Sequence, residues 1–172
     1  MLMIKEILIL ALIYYWFIAV SAAEVIKTKP CKKGRDLDVK SEVHEVSISP
    51  CPNGGSCELY RGENATITVK FTPTEVPAIS TSCKVKSKLA WVSKIEMDFG
   101  GISSNACDYM ACPIQPNVEN VFNATFFVSK MWPIGTYPLK LRIQEKGGPR
   151  RVFVCQLFKL NLADQPADNV VF

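Results

Sequence analysis

Residues and motifs that mark common catalytic sites are scarce in this 172-residue sequence, which has a single histidine. His44 has no other histidine or cysteine at metal-ligand spacing, so we interpret it as an ordinary strand residue. The chain lacks a Gly-x-Ser-x-Gly nucleophile motif, and no two carboxylates form an obvious acid–base pair. These absences argue against a hydrolase. We predict a protein that is not an enzyme and that uses neither a cofactor nor a metal.

Long apolar runs are also absent, except at the N-terminus, MLMIKEILILALIYYWFIAVSAAE. Lys5 precedes an apolar run from Ile7 to Val20, and Ser21 and Ala23 are small residues at the positions that a signal peptidase reads. The run of about 14 residues is shorter than the roughly 20 that a membrane-spanning helix needs. We therefore predict a signal peptide at 1–23 and a secreted, extracellular protein, with the endolysosomal lumen as an alternative location.

The remaining sequence has no internal repeat, no low-complexity block and no convincing amphipathic helix. Its periodicity is that of strands: between Cys83 and Phe99 apolar and polar residues alternate, with a turn or bulge expected near Ser93-Lys94. The same alternation places one set of side chains on an inner face: Ile67, Val69 and Phe71; Phe122, Ala124, Phe126 and Val128; Tyr137, Leu139, Leu141 and Ile143. Shorter patterns predict strands at about 43–49 and 151–162, the latter after the turn EKGGPR.

About seven antiparallel strands separated by turn signals predict an all-β protein, a β-sandwich. We expect one domain at 24–163 and a flexible tail at 164–172. Two sequons, Asn64-Ala-Thr and Asn123-Ala-Thr, are candidate N-glycosylation sites in a secreted protein. The alternation predicts that Asn123 faces solvent.

The net charge of +4 is mildly basic. Lysines cluster at 27, 29, 32 and 33 and again at 84, 86 and 88, and two arginines lie in the turn GGPRR. Such clusters can attract anionic lipid headgroups or an acidic partner, but a solvated face is the simpler interpretation. We predict a monomer that does not bind nucleic acid.

Seven cysteines follow the leader, in a compartment where pairing is the usual outcome. The stretch NACDYMACPI is too widely spaced for a thioredoxin-like redox pair and lacks further zinc ligands, which favours a structural disulfide. Short disulfides within 51–57 and 107–112 are the simple interpretation, and a bond between Cys31 and Cys155 would close most of the domain. The sequence alone leaves other pairings open. Cys83 is the odd cysteine, either a buried thiol or one that reacts or pairs with another chain.

Five stretches together resemble the ML lipid-recognition domain family, which includes the Niemann-Pick type C cholesterol-binding protein and the group 2 mite allergens. They are Ser-Pro-Cys-Pro before Cys57, Val-Lys-Phe-Thr at 69–72, NACDYMACPI, Tyr137-Pro138, and Val-Phe-Val-Cys at 152–155. The resemblance covers about 31–162. It implies the pairs Cys31–Cys155, Cys51–Cys57 and Cys107–Cys112. It also implies an immunoglobulin-like β-sandwich with an apolar cavity that holds one lipid between its sheets.

Residues of the sterol-binding branch that line the entrance of the cavity correspond to Phe99, Ile134 and Tyr137. The apolar inner faces supply the other candidate ligand-binding residues, which are Phe71, Leu89, Trp91, Phe122, Phe126 and Leu141. The loop MWPIGTYP is one residue shorter than in the sterol binder, and the segment after Phe71 is about four longer, which leaves the ligand's size open.

The implied function is secreted lipid binding and transfer, with a sterol, a fatty acid or a semiochemical-like molecule as the ligand. The alternative is innate-immune recognition of a microbial lipid. A lipid-transfer receptor or a transient membrane contact is the expected macromolecular partner.

Overall fold

The structure is a computed structural model, and it describes residues 23–31, 39, 41–51, 57–74, 83–91, 95–146 and 151–166. Several predictions from the sequence concern residues outside these ranges. They are most of the signal peptide, the turn near Ser93-Lys94, the tip of the EKGGPR hairpin, and the end of the C-terminal tail. The side chains of Cys83, Leu89 and Trp91 also lie outside the described part.

Within the described residues the chain forms ten strands and one turn of 3-10 helix at Ala106–Asp108. The strands are β1 (Glu24–Val25), β2 (Lys29–Pro30), β3 (Ser41–Ser49), β4 (Glu58–Tyr60), β5 (Asn64–Pro73), β6 (Cys83–Trp91), β7 (Ile95–Asp98), β8 (Asn120–Phe127), β9 (Gly135–Glu145) and β10 (Val152–Ala163). None of the helical structure described is long and apolar enough to cross a membrane.

The strands form two sheets. The first sheet has the order β1-β3-β5-β8, and the second has the order β2-β10-β9-β6-β7 with β4 beside β10. This arrangement confirms the predicted all-β sandwich, and its seven longer strands match the periodic segments of the sequence. The short strands β1, β2 and β4 have no such pattern. β4 pairs with β10 in parallel, unlike the antiparallel pairs of the longer strands.

The inner and outer faces follow the alternation in the sequence. In β8, Phe122, Ala124 and Phe126 are buried and Asn123 and Phe127 are exposed, as predicted. The long periodic segment that ends at Phe99 divides into two antiparallel strands, with Trp91 of β6 opposite Ile95 of β7. Because successive side chains of a strand point to opposite faces, the sequence pattern determines which side chains enter the interior.

Three disulfides close the fold. They join Cys31 to Cys155, Cys51 to Cys57, and Cys107 to Cys112, with Cα–Cα distances of 5.5, 4.8 and 5.6 Å. These are the pairs that the family resemblance implied. The first links β2 to β10 across 124 residues of sequence.

The outer face of the first sheet carries polar side chains together with exposed Val121 and Phe127. His44 lies there in β3, exposed, with Nε2 2.9 Å from the Thr72 hydroxyl. Lys70 donates a hydrogen bond to Glu45 at 2.9 Å. This bond is the main reason that the pKa of Glu45 is lowered and that of Lys70 is raised. Both groups are partly in water, so the pair contributes little to stability.

Candidate functional site between the two sheets

The space between the sheets is lined by large apolar side chains from both inner faces. The predicted ligand-binding residues Phe71, Phe122, Phe126 and Leu141 are all buried there. Further fully buried members of this interior are Ile48, Ile67, Val69, Leu139, Ile143 and Leu160. Such a lining removes apolar surface from water and offers few directional contacts. The inner-face side chains named here, which belong to the described part of the chain, are all hydrocarbon.

Three aromatic rings meet at one edge of this interior. The Phe99 ring packs edge-on against Phe126, with centroids 5.1 Å apart and planes at 87°. It also packs against Trp132 at 5.2 Å and 51°. Phe99 follows β7 of the second sheet, Phe126 belongs to β8 of the first sheet, and Trp132 lies in the β8–β9 loop. The aromatic cluster of Phe99, Phe126 and Trp132 therefore bridges the two sheets.

Phe99 is held by the backbone as well as by its ring. Its N–H donates to the Ser87 carbonyl at 2.8 Å, and the Ser87 hydroxyl donates to the Phe99 carbonyl at 3.2 Å. Gly101 lies directly beside the ring, and a Cβ at this position would come within 3.0 Å of two ring atoms. Glycine at position 101 therefore leaves the space that the Phe99 ring occupies.

The two other predicted entrance residues occupy different environments. Tyr137 is buried, and its hydroxyl donates to the Pro133 carbonyl at 2.7 Å. Ile134 is 56% exposed, and Met131 in the same loop is 91% exposed. The structure thus joins Phe99 to the interior and places Ile134 mainly in solvent. Trp91 and Leu89 are located only by their backbone register, opposite Ile95 and Met97.

Trp132 is a member of the aromatic cluster that the sequence analysis did not single out. Its loop is fastened by Arg61, whose Nη1 donates to the carbonyls of Trp132 at 3.0 Å and Lys130 at 3.1 Å. The Nε and Nη2 atoms of Arg61 donate to the two carboxylate oxygens of Asp164, each at 2.7 Å. A tryptophan directly before the proline of the loop sequence MWPIG was a usable signal for Trp132. The sequence held no comparable signal for Arg61, because its partners in the loop are backbone carbonyls about 70 residues away.

The Cys107–Cys112 disulfide supports the segment that follows Phe99. The Tyr109 hydroxyl accepts a hydrogen bond from the Ser103 N–H at 2.7 Å. The Tyr109 carbonyl accepts one from the Asn123 N–H of β8 at 2.9 Å. The Tyr109 ring also packs edge-on against Phe122, with centroids 5.5 Å apart. The disulfide loop therefore connects the chain just after the aromatic cluster to the first sheet.

Among the described residues, one group brings potential metal ligands together. Atoms of Glu24, Cys51 and Cys57 lie within 4.8 Å of one another. Both sulfurs belong to a disulfide and cannot act as thiolate ligands. The donor set therefore does not suit a metal ion.

Comparisons with known proteins agree with this architecture. Residues 25–162 match a family model described as the ML domain. The MD-2-related lipid-recognition protein of Manduca sexta is 32% identical over 59% of this chain, and the match spans 63% of that relative's length. The mite group 2 allergen Der f 2 of Dermatophagoides farinae is 27% identical over 76% of this chain and 80% of its own length. A Niemann-Pick type C2 protein from the Japanese carpenter ant covers 80% of this chain and all of its own, with a TM-score of 0.63 and 18% identity. Since the family model covers most of the chain, this protein belongs to the ML domain family.

Proposed function

We propose that this protein is a secreted, non-enzymatic lipid carrier that holds a sterol, a fatty acid or a similar small apolar molecule between its two sheets. The observation that carries the proposal is the apolar interior bounded at one edge by the aromatic cluster. Family membership supports it, and so does the name of the lipid-recognition relative. The three disulfides suit a protein that matures in an oxidising compartment.

Binding in this site is driven by the apolar area that the ligand removes from water. That burial contributes about 25 cal/mol per Å², less the free-energy cost of the ligand's lost motion. A ligand between the sheets would contact Phe71, Phe122 and Leu141. Specificity then depends on the shape of the interior more than on polar anchors, which agrees with the apolar character of the buried side chains.

The aromatic cluster is the proposed boundary that a ligand crosses. Phe99 joins the two sheets through Phe126 and also packs against Trp132, whose loop carries the exposed residues Met131 and Ile134. Tyr137 fixes the end of this loop through its bond to Pro133. Displacement of these rings would open the interior, and their return would exclude water.

Delipidated protein incubated with labelled sterol, fatty acid and bacterial glycolipid tests the proposal. We expect saturable binding of a sterol or a fatty acid at one ligand per chain. Preferential binding of the glycolipid would instead favour the alternative function, innate-immune recognition of a microbial lipid. Binding of none of the three would contradict both.

A matched pair of variants locates the ligand. Phe99→Ala removes a ring from the aromatic cluster, and we expect at least about tenfold faster ligand release, because a truncated core phenylalanine forfeits roughly 3 kcal/mol of packing. Phe127→Ala removes an exposed ring from the outer face of β8, and we expect unchanged release. Stopped-flow transfer to acceptor vesicles measures both rates, and equal effects of the two variants would place the ligand elsewhere.

A further inference from the structure

One glutamine side chain enters the apolar interior between the sheets. Gln156 of β10 lies directly opposite Leu141 of β9 in the strand register, and directly opposed residues of paired strands project from the same face of a sheet. Leu141 is fully buried among the inner-face residues, and Gln156 is only 8% exposed. The neighbours of Gln156 on the same face of β10 are Val154 and Phe158, which are both buried. The amide of Gln156 therefore points into the region proposed to hold the lipid.

The amide of Gln156 has an unsatisfied hydrogen-bond acceptor. Its Oε1 atom is buried and makes no hydrogen bond within the described part of the chain. A buried polar atom without a partner costs free energy, and native structures contain few such atoms. The side chains beside Gln156 on β9 and β10 are hydrocarbon, so they offer a buried water none of the roughly three hydrogen bonds that it requires. Because polar groups that are costly for the fold occur mainly at functional sites, we expect this oxygen to contact the ligand.

The inner faces favour a ligand whose polar group is neutral. The Oε1 atom of an amide accepts a hydrogen bond from an O–H or N–H group, which an ionised carboxylate lacks. The amide nitrogen could donate to a carboxylate, but the described inner-face positions of β5, β6, β8, β9 and β10 include no lysine, arginine or histidine to balance its charge. Glu145, at the end of β9, is itself an acid, and Arg151 beside it is already its ion-pair partner at 3.9 Å. Burial of a second carboxylate would therefore be costly.

Gln156 lies across the second sheet from the aromatic cluster. The Phe99 N–H donates to the Ser87 carbonyl. Ser87 is opposite Leu141, and Leu141 is opposite Gln156. These four residues form one row across the sheet, so Phe99 and Gln156 are three strand spacings apart, roughly 14 Å. A ligand that crosses the aromatic cluster with its polar end first would bring that end to Gln156 and leave its apolar body beneath the cluster.

We propose that Gln156 selects a neutral lipid with a hydroxyl group, a sterol or a long-chain alcohol, over an ionised acid, an inference that rests on the proposed carrier function. The hydroxyl of the ligand donates a hydrogen bond to Oε1 of Gln156. Burial of the ligand's apolar area supplies most of the affinity, and the shape of the interior decides which apolar bodies fit. Discrimination at the polar end arises because a ligand without a donor leaves this oxygen buried and unpaired.

Ligands that differ only at the polar end test the role of Gln156. The probes are cholesterol, hexadecanol, the methyl ethers of both, and palmitate in its ionised form, each titrated into delipidated protein. We expect the wild type to bind an alcohol at least about fivefold more tightly than its ether, because the ether has no donor for Oε1. We also expect it to bind hexadecanol more tightly than palmitate.

A matched pair of variants assigns this preference to one side chain. Gln156→Met removes the amide at similar length and volume, and we expect the alcohol-to-ether ratio of affinities to fall to about one. The control Gln144→Met removes an equally buried amide. Gln144 follows inner-face Ile143 on β9, so its side chain points to the outer face, and the control is expected to keep the wild-type ratio. Equal loss of the preference in the two variants would contradict the assignment.

Thermal unfolding of the ligand-free protein gives a second readout. Gln156→Met is expected to unfold at the same or a higher temperature than the wild type, because hydrocarbon replaces an unpaired buried oxygen. A lower midpoint would show that the amide has a structural partner and would overturn the proposal. Equal wild-type affinity for an alcohol and its ether, or for hexadecanol and palmitate, would also overturn it and would leave the carrier function in place. Binding of no probe at all would contradict the carrier function itself.

Discussion

At the scale of single residues, Arg61 connects segments that are distant in sequence, although nothing in the sequence pattern singled it out. It links the β8–β9 loop, through the carbonyls of Lys130 and Trp132, to Asp164 just after β10. Arg61→Gln would leave these loop carbonyls without their donor. A lost bond to a charged donor costs about 1.5 to 3 kcal/mol, and we expect a loss of that size in the free energy of unfolding. Ligand release is expected to accelerate, because Trp132 would be less firmly placed against Phe99. Urea unfolding and transfer kinetics measure the two effects.

The Asp164→Asn variant distinguishes the effect of the Arg61–Asp164 ion pair from that of the bonds between Arg61 and the loop. It weakens the ion pair and leaves the bonds from Arg61 to the loop intact. The Asp164 carboxylate is largely exposed, so its ion pair is expected to contribute at most about 1 kcal/mol. If Asp164→Asn accelerates ligand release as much as Arg61→Gln, the ion pair and not the loop contact holds Trp132.

At the scale of elements, the Cys107–Cys112 disulfide is expected to act on both stability and ligand exchange. Its loop is short, so in the chain-entropy model its removal costs about 2 kcal/mol. Replacing both cysteines by alanine would also loosen Tyr109, which connects Ser103 to Asn123. We therefore expect a lower unfolding midpoint and faster ligand release, measured by calorimetry and by vesicle transfer. If neither quantity changes, this disulfide does not support the aromatic cluster.

The elements also show what the sequence can predict. A strand with one buried face repeats every two residues, so β5, β8 and β9 were identifiable from local pattern alone. β4 was not, because three residues are too few for a period and its parallel pairing with β10 depends on where distant chain segments meet. Phe99, which the resemblance assigned to the entrance, is buried at the end of the alternating segment. The exposure of Ile134 depends on a loop geometry that alternation does not encode.

At the scale of the whole molecule, the strand pattern predicted a β-sandwich, and the family resemblance supplied its immunoglobulin-like form and the disulfide pairing that the sequence alone left open. The two outer faces of the sandwich are chemically distinct. One carries paired hydroxyls, both sequons, the Lys70–Glu45 ion pair and the exposed ring of Phe127. The other places Lys86 opposite Arg142 and Lys88 opposite Lys140. The interior and the outer face of the first sheet therefore have separate predicted roles, which are ligand storage and glycan attachment.

The Cys31–Cys155 disulfide is the covalent bond that encloses most of this architecture. It links residues 124 apart in sequence, and closing so long a loop removes about 4 to 5 kcal/mol of freedom from the unfolded chain. We expect the Cys31→Ala/Cys155→Ala variant to lose about that amount in urea unfolding, roughly twice the loss from removing Cys107–Cys112. β2 pairs with β10 through only two residue pairs, so its amides are expected to exchange with deuterium sooner than those of β9. If the long disulfide costs no more than the short one, loop closure is not the source of its stability.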